Sequence, residues 1–276
     1  MSQSLTAVQQ TDFDELVKAE YRSQGFILRD SVRTKNDVIG SSVEFRKVDQ
    51  VISVPTAYLA AVNIQDPDYT KVTCNIQKYT TPTAVDTVQE LTVNFDAKME
   101  NAMLVGQAMG RRSDQIIIDA LDADPGTTIA DGGTNFSYEK FTEVYERFER
   151  NAVPKGERWI AVSAPMVRSL MQDDQFISTF YTENRILDRG YILEYLGINF
   201  VTIPDMTEGG LPLAGDIQTA FAWHKMSTGM AIGHDFRTEI NYLPDRTSWL
   251  VNGIFSAGSV VIDNRGVIAI DCDISV

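Results

Sequence analysis

Apolar and polar residues follow two different periods along this chain, and the changes of period mark its parts. Between residues 40 and 95 the period is two. Val43 and Phe45 alternate with Glu44 and Arg46, Val72, Cys74 and Ile76 with Thr73, Asn75 and Gln77, and Leu91, Val93 and Phe95 with Thr92 and Asn94. That alternation predicts strands. Val51 to Val54, closed by Pro55, and Ala57 to Ile64, closed by the turn Gln65-Asp66-Pro67-Asp68, are further strand candidates. From Phe95 to Asp122 the period becomes that of a helix. Phe95, Met99, Ala102, Met103, Gly106, Met109, Gly110, Ser113, Ile117, Ala120 and Leu121 fall on one face. No proline interrupts this stretch, Asp96 can cap its start, and Asp124-Pro125-Gly126 stops it. Such a helix spans roughly 40 Å, far longer than usual, which suggests a strut for two lobes. Gly106 and Gly110 each cost about 1 kcal/mol against alanine, so another backbone is expected close by.

On the N-terminal side, Phe13, Leu16, Val17 and Tyr21 are spaced as one short amphipathic helix, capped by Thr11 or Asp12. On the C-terminal side, Thr127 to Asn135 reads as a flexible loop. A helix over Ser137 to Asn151 presents Tyr138, Phe141, Tyr145 and Phe148 on one face, with Glu143–Arg147 and Glu146–Arg150 pairs on the other. Trp159 to Val162 is a buried strand, and Ser163-Ala164-Pro165 opens a helix with Ser163 as cap. Tyr191 to Leu196, stopped by Gly197, reads as a helix end. Ile198 to Ile203 and Thr219 to His224 read as strands. This alternation is that of an α/β lobe. Beyond Ala231 the pattern is all strand: Glu239 to Leu243, Trp249 to Val261 and Gly266 to Asp271. Gly253 and Gly258 are read as turns, and Asp263 to Gly266 as a hairpin. The fold class is α+β.

The strands between residues 40 and 95 carry many Thr, Gln and Asn and few large aromatics. They lack the side chains for a core of their own. A long hairpin that leaves the body and finds its partners on another subunit fits them better. Deleting Pro55 to Thr80 is then expected to leave a folded subunit that cannot assemble.

Charge narrows the function. Twenty-four basic residues stand against 38 acidic ones, a net charge of −14. Nucleic-acid affinity rests on neutralising phosphates, so a dedicated DNA- or RNA-binding role does not fit. Acidity suits a surface that lies near DNA without adhering to it. Lys18, Arg22, Arg29, Arg33 and Lys35 make the first 35 residues locally basic, as in a segment that becomes ordered against a neighbouring subunit. No apolar run reaches the ~18–20 residues of a membrane span. Two distant cysteines and a start without signal-peptide features point to synthesis inside a cell.

Candidate chemistry is sparse. His224 and His234 with Asp235 are the one conceivable metal set, and they lack close ligand spacing. Asp271-Cys272-Asp273 lacks the ligand-rich loop of a calcium site. Lys47, Lys71 and Lys78 could join covalent cross-links but read as solvated lysines. No nucleophile elbow, phosphate loop, dinucleotide fingerprint or Cys-x-x-Cys occurs. The expectation is a protein that is no enzyme, with no catalytic residues, cofactor or metal.

The order of parts carries a resemblance, and local stretches agree with it. They are Met109-Gly110-Arg111-Arg112-Ser113-Asp114, Trp159 to Pro165, Leu170-Met171-Gln172-Asp173-Asp174 with Phe176, Gly190 to Gly197, Ala222 to Lys225 and Val261 to Ile270. The chain resembles, over nearly its whole length, the major capsid proteins of tailed bacteriophages, of the Hong Kong 97-type fold. The resemblance implies an N-terminal arm over residues 1–35 and an extended hairpin, the E-loop, over 36–95. It implies a peripheral domain with a spine helix over 96–134, an axial domain over 135–235, and C-terminal strands over 236–276 that return to the peripheral domain. It further implies hexamers and pentamers in an icosahedral shell around double-stranded DNA, without sequence-specific binding or a membrane. Scaffolding, portal and decoration proteins would be separate chains, and the product would be a virion made in the host cytoplasm. Candidate intersubunit contacts are Arg22, Arg29, Arg33, Tyr58, Asp66, Tyr69, Lys71, Arg111, Arg112 and Asp114. Two alternatives stand beside it. One is an encapsulin-like shell around a protein cargo. The other is a metal-dependent hydrolase using His224, His234 and Asp235.

Overall fold

The computed structural model describes residues 27–48, 51–56, 58, 59, 61, 64, 66–87, 97–173 and 194–275, with backbone alone at 97–100. The expected helix near Phe13, the Asp96 cap and the strand at Leu91 to Phe95 lie outside the described residues.

A long helix, α1 (Ala97–Ala123, 27 residues), runs between two sheets. The first sheet has four strands in the order β1 (Arg33–Lys35), β11 (Thr228–Leu243), β12 (Ser248–Val261) and β4 (Gln77–Asp86). The second has seven. Its main path is β5 (Thr127–Ile129), β13 (Val267–Asp273), β10 (Ile217–His224), β6 (Arg158–Ser163), β8 (Ile198–Ile203) and β7 (Glu194–Tyr195), and β9 (Leu213–Ala214) pairs with β10 outside that path. A separate two-stranded ribbon is made by β2 (Ser42–Val48) and β3 (Tyr69–Asn75).

Successive side chains of a strand point to opposite faces, and both faces of the seven-stranded sheet are buried, so its strands read as continuous apolar runs. Phe221 and Trp223 of β10, Ala161 of β6 and Val267 and Ala269 of β13 point to one face. There they join Val105, Met109, Ile117 and Leu121 of α1 and Val251, Phe255 and Ala257 of β12. Their neighbours Ala220, Ala222, Ile160, Val162, Ile268 and Ile270 point to the other face. Helices α2 (Tyr138–Arg150) and α3 (Ala164–Gln172) cover it through Phe141, Val144, Phe148, Met166 and Leu170. A sheet buried on both sides needs apolar residues at every position.

α2 forms as its pattern requires. Ser137 caps it by accepting from the Lys140 amide, and the Glu143–Arg147 and Glu146–Arg150 pairs close at 2.9 and 3.0 Å. Ser163 holds the cap position of α3, but its hydroxyl makes no capping bond.

Several elements differ from the sequence reading. Thr127 to Ile129 is a strand parallel to β13 rather than loop. Glu194–Tyr195 is a strand antiparallel to β8, because Leu196 and Gly197 both take positive φ and turn the chain back. Residues 51–56 form neither strand nor helix, and 58–59 form a turn. The stretch Lys71 to Thr80 is not one strand: it breaks at Ile76 between β3 and β4. Gly253 and Gly258 lie inside β12 and not in turns. A side chain at Gly253 would strike Val105 and Met109 of α1 at 2.7 and 2.8 Å, and one at Gly258 would come within 2.0 Å of the Asn75 carbonyl oxygen. Asp263 to Gly266 is no hairpin either. Asp263 caps a 3-10 turn through the Arg265 amide (3.2 Å), and β12 and β13 on either side belong to different sheets. Of the C-terminal strands, β11 and β12 join the four-stranded sheet, whereas β13 lies within the α/β sheet between β5 and β10.

Candidate assembly surface

The ribbon β2–β3 is anchored at its base. Phe45 and Cys74 are fully buried against Ala231 and Ile262. Lys35 lies over the Phe45 ring at 4.8 Å, and Arg33 at 5.9 Å. Lys47 reaches across to Asp263 at 3.0 Å. Burial pushes the Asp263 carboxyl up, but the hydrogen bonds from Arg265 and Lys47 outweigh it and bring the pKa down to about 2. Lys71 and Glu44 pair at 2.8 Å across the strands, and that hydrogen bond holds Glu44 below the usual carboxylate range.

Beyond this base the chemistry reverses. Val48, Val51, Ile52, Val54, Tyr58, Leu59, Ile64 and Tyr69 are all exposed, Tyr58 and Leu59 completely so. Scattered exposed apolar residues are ordinary, whereas a run of them along one segment is of the kind that protein contacts use. Sequence reading placed Tyr58, Asp66 and Tyr69 here, and all three are exposed. It missed Val51, Ile52, Val54, Leu59 and Ile64. Their signal was present as two short apolar runs, each ending at a proline-containing turn, in a stretch with few polar residues.

The remaining candidates have different surroundings. Arg22 lies outside the described residues. Arg29 approaches Asp235 at 3.6 Å, and Lys71 is held by Glu44. On α1, Arg111 lines a cavity beside Gly209. Arg112 stacks on Tyr79 at 4.7 Å and approaches Glu208 at 3.9 Å. Asp114 is buried in its own subunit and accepts hydrogen bonds from the amides of Ile27 (3.3 Å) and Leu28 (3.1 Å). It therefore ties the start of the described chain to the long helix, a role the sequence did not signal.

The two histidines serve separate local turns. His224 is buried and accepts from the Met226 amide at 3.2 Å, and burial lowers its pKa. His234 is exposed in a bulge of β11, its Nδ1 2.6 Å from the Asp235 carbonyl. Among the described residues no group of three or more His, Cys, Asp or Glu side chains is arranged to hold a metal ion.

A sequence model of the family described as phage capsid protein matches residues 5–274. Among solved structures, the chain is similar to one from Mycobacterium phage Che8, at 19% identity over 84% of this chain and 85% of that one, with TM-score 0.68. It is similar to the capsid of cyanophage P-SCSP1u (16% identity, 90% and 88% covered, TM-score 0.71). It is also similar to the head structure of Helicobacter pylori bacteriophage KHP40 (11% identity, 87% and 88% covered, TM-score 0.74). No curated protein matches the chain. The architecture of a long helix between two sheets, with a ribbon projecting from them, is thus the Hong Kong 97-like fold of tailed-phage capsids. With nearly every residue inside the family match, the chain belongs to the phage capsid protein family.

Proposed function

We propose that this chain is the coat subunit that assembles as hexamers and pentamers into the icosahedral head of a tailed phage, around double-stranded DNA. The observation that carries the reading is the exposed apolar run between Val48 and Tyr69 on a ribbon whose base is firmly packed. Burying apolar surface is worth about 25 cal/mol per Å². A neighbouring subunit is the surface that recurs beside every copy in a shell, and many such weak contacts add up. Residues 1–35 act as arm and 36–95 as E-loop. Residues 96–134 form the peripheral domain, 135–235 the axial domain, and 236–276 complete the body. Tyr58, Asp66 and Tyr69 are the intersubunit contacts that the exposure of the ribbon supports best.

The protein's role is structural and not catalytic. The net charge of −14 keeps most of the inner wall from adhering to packaged DNA. Scaffolding, portal and decoration functions fall to other chains, and assembly takes place in the host cytoplasm before the product becomes part of the virion. Negative-stain microscopy of the purified protein tests this: closed icosahedral particles or separate capsomers are expected. A strictly monomeric sample at high concentration overturns it, and particles that hold protein cargo in place of DNA point to an encapsulin-like shell.

A further inference from the structure

Asp114 is unusual in its company. It sits on α1 between the apolar residues of the main core, only 6% exposed. Its two oxygens accept from consecutive amides, Ile27 to Oδ2 and Leu28 to Oδ1, at the start of the 3-10 turn Arg29–Ser31. The same short segment is held twice more. Ser31 bonds the Leu28 carbonyl at 2.6 Å, and the Trp223 indole bonds the Ser31 carbonyl at 2.9 Å. A cavity of about 220 Å³ opens beside Asp114, lined by Ile27, Gln107, Arg111, Ile203 and Met206. It gives water a route to the carboxyl group once the segment moves.

The elements around it carry charged residues. Arg111 of α1 lines the same cavity. Arg112 of α1 approaches Glu208, in the loop after β8, and Asp205 of that loop accepts from Gln218. The 3-10 turn carries Arg29, which approaches Asp235, and Asp30. None of these cations makes an ion pair with Asp114, whose hydrogen-bond partners are the two amides.

We propose that Asp114 is a proton-dependent latch that fastens residues 27 and 28, the root of the N-terminal arm, to the long helix, and that it holds them more tightly when protonated. Burial pushes its pKa from 3.8 up to about 6, and the two amide bonds pull down without cancelling that rise. When the root lifts away, water reaches the carboxyl group and its affinity for a proton falls back to that of an ordinary aspartate. The docked form therefore binds the proton more tightly, so docking strengthens as pH falls through 6 towards 4 and weakens above 6. This direction is opposite to that of an ion-paired carboxylate.

The test is amide hydrogen exchange of the full chain at Ile27 and Leu28, expressed as protection factors at pH 7.5 and pH 5. Protection is expected to rise roughly tenfold on acidification, and Asp114→Asn is expected to remove that rise. Equal protection at both pH values in the wild type overturns the proposal. So does an unchanged pH response in the variant, since the histidines and other acids are still present there. If Asp114→Asn does not fold, direct titration of the wild-type Asp114 carboxyl carbon by NMR decides. Titration near pH 6 supports the latch, and titration near 4 overturns it.

Discussion

Arg158 is the most consequential single side chain that the sequence left without a role. It opens β6 as a residue only 1% exposed, its guanidinium donating to the carbonyls of Val153 and Pro154 and to Glu149 at 3.0 Å, against the rings of Phe148 and Tyr145. No period or motif announces such a residue, because its partners come from the last turns of α2 and the turn that follows. Arg158→Met keeps the volume but strands two carbonyls and leaves Glu149 with Lys155 alone. It is expected to cost about 2–3 kcal/mol, read as a lower midpoint of denaturant unfolding. Asp263 makes a pH-dependent contribution of the ordinary sign. Its pKa is depressed to about 2, so its stabilisation is present above pH 4 and lost as pH falls through 2. Because it is partly exposed, the effect is small. Wild type and Asp263→Asn are expected to differ in melting temperature at pH 6 and to converge as the pH approaches 2.

At the scale of elements, long periodic stretches were legible and short ones were not. The helical face from Ala102 to Leu121 and the aromatic face of α2 repeat often enough to fix their type. Met103, placed on the inner face by spacing, is exposed instead, and Val105 is buried in its stead. The two-residue strand β7 carries too few positions for a period. The glycines of β12 were read as turns because sequence alone does not distinguish a glycine that bends the chain from one that makes room. At Gly253 and Gly258 the need is room. The ribbon was legible as strands of a projecting hairpin, but its boundary was not. β4 pairs with β12 along ten residues, and Val48 lies opposite Tyr69. Removing Pro55 to Thr80 would therefore take away β3 and the start of β4, and the subunit is expected to lose stability. Replacing residues 49–68 with a two- to four-residue turn joins ends that already face each other. That variant is expected to keep the wild-type circular dichroism spectrum and melting temperature while forming no particles by sedimentation and microscopy. Normal particles from it would remove the ribbon from assembly.

At the scale of the whole molecule, the order of parts indicated the family, yet the sequence did not reveal which sheet each strand would join. A period of two tells that a strand has two faces; it carries no information about neighbours. The chain runs from β12 in one sheet to β13 in the other through a 3-10 turn capped by Asp263, which pairs with Lys47 of the ribbon. The two sheets are thus interleaved in sequence, with α1 shared between them. The placement of β13 has a bearing on how the subunit is made. Ile129 and the stretch from Ala220 to Ala222 flank the gap next to the edge strand β5, and residues 267–273 fill it. On the ribosome, then, every earlier part of the α/β lobe waits with an open seam until that last strand emerges. Until then the facing edges of β5 and β10 stay unpaired, so the α/β lobe closes only when residues 267–273 are available.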